Sequence, residues 1–141
     1  MQSANVYKFG DRVIVCSLSK TTAGVWIVHG TVTAVAVSNQ TGLGGLVLAA
    51  LDGSISGIPH PKVWSGLFDP VLREAGVKTY SAFIKKASLI DVRRNESTVA
   101  LIPMQNQGAK DGFLPDENAK HSLENPAADA LGQAVTRLLA R

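Results

Sequence analysis

Hydrophobic residues in the first part of the chain come in short, β-branched runs broken by glycine. Val13-Ile14-Val15-Cys16, Val25-Trp26-Ile27-Val28, Thr31-Val32-Thr33-Ala34-Val35-Ala36-Val37 and Leu46-Val47-Leu48-Ala49 all have this form, which predicts strands. Residues 21–51 contain no Asp, Glu, Lys or Arg, so little of that segment is expected to face water freely. Thr41-Gly42-Leu43-Gly44-Gly45 reads as a flexible hairpin turn. Asp52-Gly53 between two apolar runs is a hairpin signal, with Ser54-Ile55-Ser56-Gly57-Ile58 as the strand after it. Residues 6–58 therefore predict an antiparallel β meander of four or five strands, or a small curled barrel.

The period changes after Pro59 and Pro61. Trp64, Leu67 and Phe68 fall at helical spacing, Asp69-Pro70 has the form of a helix start, and Gly76 that of a stop. Ser81 is placed to cap a second short helix with Phe83 and Ala87 on one side. Residues 88–92 and 98–103 are strand-like, and Arg93-Arg94-Asn95-Glu96-Ser97 joins them at hairpin length. Residues 104–125 are the least regular part. Asn125-Pro126 then opens a terminal helix with Ala128, Leu131, Val135 and Leu138 as its apolar stripe. Arg137 and Arg141 lie at its C-terminal end, where the helix dipole favours cations. The expected fold class is α+β: one domain over residues 1–141, β-rich over 6–58 and mixed over 63–141, closing on a helix packed across the sheet.

Composition narrows the class. An apolar share of 45 % in 141 residues suffices for a core, and a charged share of 18 % argues against disorder. A net charge of +3 is mild for a dedicated nucleic-acid binder. The polar start Met1-Gln2-Ser3-Ala4-Asn5 lacks the form of a secretory signal. The longest apolar stretch, residues 42–51, is too short to cross a bilayer, so a soluble cytoplasmic protein is expected. Charge is uneven along the chain. Six cations and two acids lie between Arg73 and Arg94, and six acids with two cations between Asn95 and Asp129. A basic stretch beside an acidic one suits a protein partner better than a polyanion.

Candidate chemistry is sparse. His29, His60 and His121 are far apart, and none has a second histidine or cysteine at metal spacing. His29 is expected in the core and His60 in a solvated loop. The single cysteine, Cys16, is expected to be a buried apolar residue. Residues 41–45 lack the lysine of a phosphate-binding loop, and Asp116-Glu117 are adjacent carboxylates that point apart. No enzyme activity, metal or cofactor is expected. Two other classes stay open: a small nucleic-acid-binding β-barrel using Lys85, Lys86, Arg93 and Arg94, and a small-molecule site or enzyme near His29.

Four pieces follow one another in a fixed order: Phe83-Ile84-Lys85-Lys86-Ala87, Val99-Ala100-Leu101-Ile102-Pro103, Gly112-Phe113-Leu114-Pro115 and Leu131-Gly132-Gln133-Ala134-Val135. Over residues 80–139 this order resembles the immunity proteins of bacterial contact-dependent growth inhibition and related polymorphic toxin systems. The resemblance implies a non-enzymatic antitoxin that binds a cognate toxin domain, often a nuclease, stoichiometrically. The contact residues expected from charge are Asp111, Asp116, Glu117 and Glu124 on a mobile acidic loop, with Lys85, Lys86, Arg93 and Arg94 on the basic side. The partner expected is a protein and not a membrane, with nucleic acid only the lesser alternative.

Overall fold

The computed structural model describes residues 1–140; Arg141, and with it the expected cation at the helix end, lies outside the described residues. One open sheet organises the chain. Its first three strands, β1 (Gln2–Phe9), β2 (Arg12–Thr21) and β3 (Trp26–Ala36), form the antiparallel meander. A second hairpin, β5 (Ser88–Asn95) and β6 (Thr98–Asn106), joins through β1, giving the order β3-β2-β1-β5-β6. Between these units the chain forms helix α1 (Gln40–Asp52), strand β4 (Ser56–Ile58) and helices α2 (Asp69–Ala75) and α3 (Tyr80–Ile84). After β6 come α4 (Gly108–Asp111), β7 (Phe113–Pro115), a 3-10 turn (Glu117–Ala119), β8 (His121–Glu124) and α5 (Ala128–Leu139).

Every strand pairing is antiparallel except that of β4, which runs parallel to the end of β2 at Lys20 and Thr21. There it takes the side of β2 that β1 vacates. The outer side of β6 is shared, with β7 opposite residues 104–106 and β8 opposite residues 98–101. The sheet does not close, so the barrel alternative is overturned: β3 is a free edge.

Strand alternation divides the core between the two faces. Ala4, Val6, Val13, Val15, Ile90, Val92, Val99 and Leu101 point to the first face, where α1 and α5 cover them. Tyr7, Ile14, Cys16, Leu18 and Leu89 point to the second, where they meet Val71 and Leu72 of α2 and Phe83 of α3. Phe83 is fully buried and sits among Tyr7, Phe9 and Phe68, with ring centroids 5.2–5.4 Å away. Gly76 ends α2 in the left-handed conformation, as its position suggests. Thr79, not Ser81, caps α3 by accepting the Ala82 N–H.

The largest correction concerns residues 40–52. The expected strand 46–49 and the turns at 41–45 and 52–53 are one helix, α1. Asn39 caps it by accepting the Gly42 N–H at 3.0 Å. Leu43, Val47, Ala50 and Leu51 are buried at i, i+4, i+7 and i+8, one helical stripe. Glycine and valine are both poor helix formers and valine favours a strand, yet packing of that stripe on the sheet prevails. Two smaller corrections follow. The first strand, β1, begins in the polar N-terminal run. The uncharged segment 21–51 is not uniformly hidden, because β3 is an edge strand with His29, Gly30 and Thr31 exposed.

Candidate functional site

The second face of the sheet is covered at only one end. Helices α2 and α3 lie over the end of the sheet that carries Phe9 and Leu89. The opposite end, marked by the β5–β6 turn at Glu96 and Ser97, has no helix above it. Register brings Arg93 opposite Ala100, Asn95 opposite Thr98 and Ala100 opposite Ser122, so these side chains share the open face. With Ile102, Met1, Glu96, Glu117 and Lys120 they line a groove of about 530 Å3. Ala100 and Ile102 give it an apolar floor. Its walls mix signs, with Arg93 and Lys120 against Glu96 and Glu117.

Polar side chains continue the face beneath β1. Asp91, Asn5 and Cys16 are aligned across β5, β1 and β2, as are Arg93, Ser3 and Leu18. Asp91 is 8 % exposed, and Arg93 holds it through Nε and Nη2, each 3.0 Å from Oδ2. Burial raises the Asp91 carboxyl above the ordinary aspartate value. The guanidinium beside it and a hydrogen bond with Ser3 pull the other way without overcoming that cost. Asn5 Nδ2 donates to Tyr7 Oη at 3.2 Å, and burial raises the phenol of Tyr7. Charge counting along the chain missed this row. Its signal was a lone acid inside an apolar strand, Leu89-Ile90-Asp91-Val92, since a buried carboxylate demands partners.

The eight charged residues expected to form one surface are dispersed. Arg93 and Glu117 do line the same groove. Arg94 points to the other face, where it bonds Asp52 at 2.7 Å and Gln2 at 2.9 Å. Lys85 and Lys86 lie at the covered end in a turn fixed by Asn106, whose Nδ2 donates to Ile84 O at 2.6 Å and Ala87 O at 2.9 Å. Asp111 ends α4, which packs beside α3. Asp116 is half-buried after β7, with its N–H on Pro103 O at 2.8 Å. Glu124 accepts the hydroxyls of Ser97 and, at 2.8 Å, Thr98, which hold its carboxyl below the usual glutamate value. The acids thus sit on separate elements, Asp111 on α4, Asp116 and Glu117 at the 3-10 turn packed against β6, and Glu124 on β8 paired with β6, and not on one irregular loop.

The other singled-out residues fall as follows. Cys16 is fully buried, as expected, and burial pushes its thiol up to about 12. His60 is exposed, with Nδ1 2.9 Å from Thr21 Oγ1. His29 is exposed and not in the core, because β3 is an edge; its Nδ1 is 3.2 Å from Ser19 Oγ. Ser19 has no exposed surface and accepts the Ile55 N–H at 3.2 Å, which makes that pair a tie between β2 and the start of β4. Among the described residues no three His, Cys, Asp or Glu side chains gather as a metal site, and no helix is long and apolar enough to cross a membrane.

No protein-family model and no curated protein matches this sequence. Solved structures do match its fold. A protein of unknown function from Neisseria meningitidis superimposes with a TM-score of 0.81 at 13 % identity, covering 99 % of this chain and 94 % of its own. A chain of the CdiA-CT/CdiI toxin and immunity complex from Yersinia pseudotuberculosis superimposes with a TM-score of 0.77 at 15 % identity, covering 97 % of this chain and 94 % of its own. At such identities the likeness is one of fold.

Proposed function

We propose that this chain is an immunity protein that neutralises a cognate bacterial toxin domain by stoichiometric binding, without chemistry of its own. The observation that carries this reading is the match of fold, over 97 % of the chain, to a chain of a toxin and immunity complex. A second line supports it. The four pieces whose order resembles immunity proteins lie around one strand: β6 contains Val99 to Pro103, β7 pairs with it, α5 packs on it, and Asn106 at its end ties down the residue 84–87 turn. The groove supplies a concave surface of both signs, suited to a protein partner. A nuclease domain is the favoured target, since Glu96 and Glu117 on the groove rim complement the cations of a phosphate-binding cleft.

Co-expression tests this directly. The C-terminal domain of a large secreted protein encoded immediately upstream should arrest growth alone, and this chain should restore growth and co-purify with that domain at one to one. Growth arrest caused by this chain itself would assign it the toxin's role in such a pair. Rescue by substoichiometric amounts, lost on replacing one histidine or carboxylate, would point to an enzyme instead.

A further inference from the structure

Four large apolar side chains stand exposed at the uncovered end of the sheet: Val25, Ile55, Val63 and Trp64, with Trp64 at 50 % and Val63 at 67 %. Hydrogen bonds gather them around the end of β2. Thr21 N–H donates to Val25 O at 2.8 Å, and Val25 N–H to Thr21 Oγ1 at 3.2 Å. Lys20 N–H donates to Ile55 O at 2.9 Å. His60, bonded to Thr21, meets the Trp64 ring edge-on with centroids 5.2 Å apart. Val63 adjoins Trp64 in the chain. These residues therefore gather around one end of β2. Clustered exposed apolar side chains mark an interaction site, and tryptophan is among the residues most enriched where binding energy concentrates.

Charge and continuity define what covers the patch. Its flanking charges are Lys20 and Lys62, both exposed. No carboxylate lies between Asp11 and Asp52 or between Asp52 and Asp69, and Asp52 is itself paired with Arg94. A second copy of the chain would set like charges together, and a nucleic acid could stack on Trp64 and His60 alone while Val25, Ile55 and Val63, the aliphatic majority of the patch, stayed uncovered. The patch and the groove lie at the same end of the sheet. Met1, 63 % exposed, lines the groove, and two residues on the buried Ser3 N–H donates to Ser54 Oγ, which fixes the segment carrying Ile55 against the strand that Met1 leads into. An apolar centre with a polar margin is the anatomy of a protein interface.

We propose that the Trp64 patch anchors the toxin-binding surface, seated in an apolar pocket with an acidic rim on the toxin domain, while the groove takes the polar margin. The proposal rests on the neutralisation reading. The test measures binding of an inactivated toxin domain from the upstream reading frame by calorimetry. Trp64→Ala should weaken binding at least ~30-fold. Ile55→Asp should weaken it comparably, and a Lys20→Glu, Lys62→Glu double variant should bind more weakly with a reversed salt dependence. All should keep the wild-type circular dichroism.

Binding by Trp64→Ala and Ile55→Asp within about twofold of wild type would overturn the proposal and leave neutralisation standing. A wild-type chain that neither binds nor protects against the toxin domain would remove the neutralisation reading itself. A dimer in sedimentation that Trp64→Ala dissolves, or saturable quenching of tryptophan fluorescence by oligothymidylate lost in that variant, would give the patch another occupant and overturn the proposal.

Discussion

Gly44 and Gly132 face each other where α1 crosses α5. A Cβ on Gly44 would lie 1.7 Å from Ala128 O and 2.9 Å from Gly132 N; a Cβ on Gly132 would lie 1.8 Å from Gln40 O and 3.1 Å from Gly44 N. Backbone touches backbone there, so no side-chain movement relieves an added methyl group. This contact lets Leu43 and Val47 of α1 and Leu131 and Val135 of α5 reach the same sheet face together.

Gly44→Ala or Gly132→Ala should therefore force the helices apart and cost about 3 kcal/mol or more, the upper range for overpacking. Urea unfolding measures the loss. A midpoint equal to wild type for either variant would contradict the close crossing.

Gly45, one residue on, predicts the opposite sign. It is helical and exposed, and a Cβ there would meet nothing within 4 Å. Gly45→Ala should stabilise the fold by about 0.5–1 kcal/mol by restricting the unfolded chain. A lower melting temperature would show that α1 is held differently.

Asp91 gives a pH dependence. Its folded-state carboxyl holds the proton above the ordinary aspartate value, because burial opposes the charge more than Arg93 favours it. The unfolded chain releases that proton first, so this group's contribution to stability falls as pH rises from about 4 through the raised folded value. Glu124 acts in the other sense. The Ser97 and Thr98 hydroxyls lower it, so its contribution is present above the ordinary glutamate value and is lost as pH falls. Comparing Asp91→Asn with wild type isolates the first group. The difference in urea midpoint should shift in the variant's favour as pH rises through that window, and a constant difference would mean that Asp91 ionises as in the unfolded chain.

Cys16 should be inert in the native protein. Its thiol is fully buried and raised to about 12, so almost no thiolate exists near neutral pH. Ellman's reagent should react in denaturant and only at the rate of unfolding without it. Prompt reaction of the native chain would place the second-face core in contact with solvent.

Much of this was legible in the sequence where local chemistry decides it. β-Branched runs marked β2 and β3, although the two strands expected at 25–28 and 31–37 are one; the β5–β6 hairpin was legible, although its link is only Glu96-Ser97 and Arg93 to Asn95 extend β5; Pro70 and Gly76 bracketed α2, and the stripe around Leu131 marked α5. Burial of Cys16 followed from the apolar run that holds it. Tertiary structure alone decided the rest. Residues 40–52 form a helix because an apolar stripe packed on a sheet outweighs the preferences of glycine and valine, and no local pattern reveals Gly132 as the partner of Gly44. Arg93 and Arg94 adjoin in sequence yet serve opposite faces, one over Asp91 and the other beside Asp52. Charge runs along the chain misled for that reason: a strand sends successive side chains to opposite sides, and only the register of β1, β5, β6 and β8 decides which of them share a surface.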